Sequence, residues 1–206
     1  MIKYTVTMPM EQVTEARRTC KVLRDGIAKL REQLAALDEV DPIRDGIAAR
    51  DRAEAERQRI TDDLENAKAE AVKAIREQAE IYQAEVNRQS ALKGEDLDTP
   101  DYALIRDHLI SDANQLQMMA DRNQANYSLL VAIDHYATEH KWQGFAVISN
   151  APNVEAFGQQ WFNLCEAAAN NPDGLAMMQI TTEGELRRLL NEYGVIDVAQ
   201  LPDDEA

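Results

Sequence analysis

Val13, Ala16, Cys20, Leu23, Ile27, Leu30, Leu34 and Leu37 follow one another at alternating steps of three and four residues. A mean step of about 3.5 residues keeps all eight side chains on one seam of a helix, and such a seam is buried only against another helix. Helix–helix packing is therefore the first thing this chain must satisfy. A seam of this kind supplies shape and partners, not chemistry.

A second apolar series follows with a different rhythm. Ile60, Leu64, Ala67, Ala71, Ile75, Gln78, Tyr82 and Val86 are spaced by 4, 3, 4, 4, 3, 4 and 4 residues, an eleven-residue repeat. That period favours a nearly straight or slightly right-handed stalk. Between the two series, Ala48 to Arg59 offers alanine as its only apolar residue type. If the chain turned straight back at Asp41-Pro42, Ile27 and Leu30 would face this weak zone near Arg50 and Ala53. The mismatch predicts that a third helix, from later in the chain or from another copy, also covers the seam. The expected helix interface comprises Val13, Ala16, Cys20, Leu23, Ile27, Leu30, Leu34 and Leu37, with Ile60, Leu64 and Ile75 from the second series.

The remaining punctuation divides the chain into four segments. Residues 1–8 alternate Ile2, Tyr4 and Val6 with Lys3, Thr5 and Thr7 and read as a strand. Residues 9–93 read as a coiled-coil helical hairpin, opened by Pro9 and turned at Asp41-Pro42. Residues 94–141 read as a long third helix, capped by Thr99 with Pro100 at its first turn. Residues 142–206 read as a small acidic α/β head. In that head, strands 145–148 and 175–181 are expected to pair, with a helix over 154–169 between them. A last helix should begin at the capping-box spacing of Thr182 and Glu185 and stop at Gly194. Residues 195–201 are ambiguous, and 202–206 read as a frayed acidic tail. The expected fold class is mainly α: long antiparallel coiled-coil helices forming a stalk, a small C-terminal α/β head, and an N-terminal strand joining the head sheet.

Composition separates the two halves. Residues 1–93 contain Tyr4 and Tyr82 as their only aromatics, whereas Trp142, Phe145, Phe157, Trp161 and Phe162 belong to the remainder, where the main core is expected. Residues 1–93 carry 17 Lys+Arg against 18 Asp+Glu, a net of −1. Residues 94–206 carry 5 against 19, a net of −14, which completes the −15 of the chain. Concentrated negative charge repels nucleic acid and anionic membrane and draws basic partners; acidic surface that only maintains solubility is the plainer alternative.

No constellation for catalysis stands out. Gly-x-Gly-x-x-Gly, phosphate-loop, Gly-x-Ser-x-Gly and His-Glu-x-x-His patterns are all absent. His135 and His140 lie about 140° apart around a helix, too far for one metal; His135 and Glu139, four apart, can pair. Cys20 and Cys165 belong to no Cys-x-x-Cys and read as core thiols in a reducing compartment. Met118-Met119 and Met177-Met178 read as core filling. Arg17, Arg18, Lys21 and Arg24 form one basic patch, and Arg50, Arg52, Arg57 and Arg59 another. Both are interleaved with carboxylates and have no aromatic companions, so specific nucleic-acid binding is not expected. No cofactor or metal is expected either.

In layout only, a coiled-coil stalk with an acidic head resembles small assembly and inhibitor proteins of bacteria and their viruses, and it implies no site residue. The start lacks the long apolar core of a signal peptide, and the longest apolar run is Leu129 to Ile133. The expected compartment is the cytoplasm, or a virion for a phage-encoded chain. The function expected is that of a non-enzymatic assembly module, a homo-oligomer through its stalk, presenting the acidic head to a protein partner with a basic surface. The alternatives are an acidic nucleic-acid mimic that inhibits a nucleic-acid-binding protein, and an enzyme with an unrecognised site in the head.

Overall fold

A computed structural model describes residues 1–39, 43, 46–182 and 184–194. The expected turn at Asp41-Pro42 and the segments 195–201 and 202–206 lie outside these residues. In chain order the elements are β1 (Ile2–Tyr4), α1 (Met10–Asp38), α2 (Ile47–Ser90), a 3-10 turn (Gly94–Leu97), α3 (Pro100–Arg106), α4 (Ala113–Arg122) and α5 (Tyr127–Glu139). Then come β2 (Val147–Ser149), α6 (Ala151–Asn170), α7 (Leu175–Thr181) and α8 (Glu185–Tyr193). The protein is mainly helical with a small two-stranded parallel sheet. It divides into two compact units, one built from Met1–Pro9 and Gln83–Ala156, the other from Met10–Tyr82 and the described residues from Phe157 onward.

The first unit is organised around its extended N-terminal segment. Ile2, Tyr4, Val6 and Met8 are buried while the residues between them are exposed, the two-residue alternation of an extended chain. β1 pairs with β2 in parallel register, Ile2 with Val147, Lys3 with Ile148 and Tyr4 with Ser149. Beyond the ladder, side-chain amides take over the role of a neighbouring strand. The Val6 N–H donates to Asn150 Oδ1 at 2.6 Å, and Asn150 Nδ2 donates back to the Val6 carbonyl at 3.1 Å. The Thr7 N–H and carbonyl make the same closed pair with Gln89, at 2.7 and 3.0 Å. The Tyr4 hydroxyl donates to the Gln89 carbonyl at 2.6 Å.

The expected single helix over 94–141 is instead three helices. Thr99 does cap, accepting from the Tyr102 N–H, but α3 ends after Arg106. Asp112 then accepts from the N–H groups of Asn114 and Gln115 to open α4, and Asn126 accepts from Leu129 N–H to open α5. Each cap satisfies donors that a continuous helix would bond through its own carbonyls, so these side chains compete directly with helix continuation.

The second unit holds α1, α2 as far as Tyr82, most of α6, and α7 and α8. The expected strand over 175–181 is the helix α7. Leu, Ala, Met and Gln favour helix, the β-branched residues come only at its end, and burial of Met177 and Ile180 three apart requires helical spacing. β2 consequently pairs with β1 and not with 175–181. α8 does end at Gly194, whose φ of 62° is left-handed, but its N-cap is Gly184 and Thr182 closes α7 instead. The core is not confined to 94–206. Ile60, Ile75 and Tyr82 of α2 are as buried as Phe157 and Trp161 of α6, whereas Trp142 remains half-buried.

Candidate functional site

The α1 seam has two differently covered parts. Val13, Ala16, Cys20, Leu23 and Ile27 are buried, whereas Leu30, Leu34 and Leu37 are half-exposed. On α2, Ile60 and Ile75 are buried and Leu64 is half-exposed. Later helices of the same unit cover the first part of the seam. Trp161, fully buried on α6, donates its indole N–H to the Val13 carbonyl at 3.0 Å. The Cys20 thiol donates to the Cys165 carbonyl at 3.5 Å.

Arg17 belongs to this covered part and not to an exposed basic patch. It is buried, and its guanidinium donates to the carbonyls of Ile180 and Thr182, both at 3.1 Å, where α7 ends. The last carbonyls of a helix lack intrahelical partners and carry partial negative charge, so a cation there supplies both hydrogen bonds and dipole compensation. Sequence reading missed this role because the carbonyls lie more than 160 positions away. At the periphery of the unit, exposed ion pairs join Arg31 to Asp173 and Arg76 to Glu166. The hydrogen bond from Arg31 holds the Asp173 carboxyl below its usual range, and the one from Arg76 does the same for Glu166.

An open groove with a volume of about 450 Å³ lies beside the seam. α1 contributes Val22, Leu23, Gly26, Ile27 and Leu30, and α2 contributes Ala67, Ala71 and Ala74. Glu15, Arg18 and Glu70 supply charge of both signs at its border. Small residues make the groove: alanines stand opposite Ile27 and Leu30, and a Cβ added at Gly26 would meet no atom within 4 Å. Val22 leaves 64% of its surface exposed there. Ile27 and Leu30 thus share the groove with Ala67 and Ala71, about four to six helical turns beyond the Arg50–Ala53 region expected from a straight return. The zone around Arg57 meets the end of α1 instead, where Arg57 donates to the Leu37 carbonyl at 3.0 Å and to Asp38 at 2.6 Å. Leu37 shares a further shallow recess with Ala49, Arg52 and Ala53.

The histidines gather in the other unit. His108 and His140 have ring centroids 6.3 Å apart, with Tyr136 stacked on His140 at 4.1 Å and Trp142 beside it at 5.1 Å. Two helix ends bring them together. At the end of α3 the Leu109 N–H bonds the Leu104 carbonyl, and after α5 the Trp142 N–H bonds the Ala137 carbonyl. This six-to-one closure requires a left-handed residue inside the turn, usually glycine, and here His108 and Lys141 fill that position at φ 53° and 56°. His135 lies 3.9 Å from Glu139. Among the described residues no group of three or more His, Cys, Asp or Glu side chains could hold a metal ion, and no helix is long and apolar enough to cross a membrane. The arrangement can offer apolar contact and mixed-sign charge to another macromolecule. The chain matches no family model, no curated protein and no solved structure.

Proposed function

We propose that the protein is a non-enzymatic interaction module that associates with a second copy of itself through the α1–α2 groove and presents its acidic C-terminal half to a basic protein partner. α1 and α2 run antiparallel as a coiled-coil pair. The contact of Leu37 and Asp38 with Arg57, and the common border of Ile27 with Ala67 and Ala71, support this, because numbers fall along one helix as they rise along the other. The single observation that carries the proposal is the open groove over Gly26, with Val22 exposed and Leu30, Leu34 and Leu37 incompletely covered. A strip of apolar side chains on a helical pair is stabilised by covering it with another helix.

Charge favours a copy of the same chain as the occupant. A face that meets itself must not repel itself, and residues 1–93 are nearly neutral at 17 basic against 18 acidic residues, with both signs at the groove border. The C-terminal half, at 5 against 19, repels its own copy and attracts basic surfaces. Sedimentation of Gly26→Leu beside the unchanged protein tests the reading. The leucine fills open space and suits a helix better than glycine does, so helicity and thermal midpoint should hold or rise while association is lost. A monomeric unchanged protein at every concentration, or a Gly26→Leu variant that still associates, would overturn the proposal.

A further inference from the structure

The chain contains two cysteines, and the second unit brings them together from 145 positions apart. Cys20 lies on the covered part of the α1 seam, and Cys165 lies on α6. Each is wholly buried, at 0% exposure. The Cys20 thiol donates to the Cys165 carbonyl at 3.5 Å, an ordinary distance for a bond to sulfur. Burial raises the pKa of the Cys165 thiol, and the neighbouring Cys20 side chain raises it further. The chain has no other thiol to compete, and burial shields both from thiols of other molecules.

We propose that Cys20 and Cys165 are an oxidative modification site, converted by hydrogen peroxide into one intramolecular disulfide joining α1 to α6. One sulfur, as thiolate, attacks a peroxide oxygen; the O–O bond breaks, water leaves after protonation, and a sulfenic acid remains. The second sulfur attacks the first, the S–O bond breaks and a second water leaves. Two thiols thus lose two electrons and two protons, and one peroxide is reduced to two waters.

Burial sets the pace. A buried thiol remains protonated and unreactive, so oxidation proceeds through local opening of the α1–α6 contact and is slower than that of an exposed cysteine. Once formed, the bond closes a loop of more than 140 residues, which restricts the unfolded chain strongly and raises the thermal midpoint.

The test exposes the full-length protein to excess hydrogen peroxide, then denatures it without reductant in iodoacetamide and records the intact mass. The expected product has lost two hydrogens at the cysteines, takes up no alkyl group, runs as a monomer on a non-reducing gel and melts at a higher temperature. Dithiothreitol should return both alkylatable thiols and the original midpoint. Two alkylated cysteines after oxidation, sulfinic acid at either cysteine, or a disulfide-linked dimer would each overturn the proposal. Cys20→Ala controls for the seven methionines. It should take one alkyl group and show no rise in midpoint, and a rise equal to that of the unchanged protein would place the stabilisation outside the thiol pair.

Discussion

The two units solve the same problem, holding helices in place, with different means. The unit of Met10–Tyr82 and the residues from Phe157 relies on long apolar faces: the α1 seam, the eleven-residue series of α2 and a buried tryptophan on α6. The unit of Met1–Pro9 and Gln83–Ala156 uses short elements and decides their ends with individual polar side chains, Asp112, Asn126, Asn150 and Gln89 among them. Apolar faces draw their stability from buried volume, whereas a cap or an amide pair acts through the geometry of a single side chain. Substitutions should therefore damage the first kind of unit through lost volume and the second through lost geometry.

The largest expected effect is at Trp161. Trp161→Ala removes a fully buried ring and its bond to the Val13 carbonyl, and should cost about 3–5 kcal/mol, read by urea unfolding followed by circular dichroism. A loss below 1 kcal/mol, on the order of a surface substitution, would mean that the seam does not depend on α6.

Gly158 tests how closely that unit is packed. A Cβ there would lie 2.2 Å from Tyr82 Cε1 and 2.9 Å from Cζ. The ring is buried at 1% exposure and has little room to retreat. In an open helix alanine would gain about 1 kcal/mol over glycine, but overpacking costs about 1–3 kcal/mol. Gly158→Ala should therefore lower the midpoint, and a rise would show that the ring can move.

In the other unit, pH should act through Glu85. Hydrogen bonds first from Arg88 and then from Gln89 hold its carboxyl down at about 2, against an ordinary 4.5. Because the folded value is the lower one, its contribution is complete above the ordinary range and is lost as pH falls from there toward 2. Gln89 is also the amide that holds Thr7. Amide exchange at Thr7, corrected for its intrinsic pH dependence, should lose protection across that window. Glu85→Gln should abolish the pH dependence, and a Thr7 amide indifferent to both changes would break the connection.

The smallest effect should be a gain. Lys141 occupies a left-handed conformation at φ 56° that costs a residue with a Cβ about 1 kcal/mol or more. Lys141→Gly should raise stability by about 0.5–1 kcal/mol. His108→Gly relieves the same strain but removes a ring that lies 5.7 Å from Tyr136, so it should gain less. Equal gains at both positions would show that the histidine ring contributes nothing to the cluster.

The contrast also explains what could be read in advance. α1 and α2 were legible because their apolar periods continue over many turns and outweigh single residues such as Gly26. β1 was legible from its alternation, although its partner β2 lies 145 positions away. The breaks between α3, α4 and α5 were not, because Ile105, Leu116, Leu130 and Ala137 fit one periodic face whether or not the helix is interrupted. α7 was misread as a strand although Leu175 to Gln179 favour helix; only its β-branched end, Ile180 and Thr181, resembles one. Of the candidate site, the seam residues were visible but their cover was not: a period shows that a face is apolar, and only the fold shows that α6 covers Val13 to Cys20 while alanines leave a groove at Gly26. Arg17, adjacent to Ala16, carried no local sign that it would be buried at the end of α7.

Hydrogen exchange along α1, measured over a range of protein concentrations, tests the central claim most directly. Helix amides near Leu30, Leu34 and Leu37 should gain protection as concentration rises, while those near Val13 to Cys20, already covered within the chain, should not change. Protection independent of concentration along the whole helix would contradict the account, because the groove would then remain uncovered by a second copy.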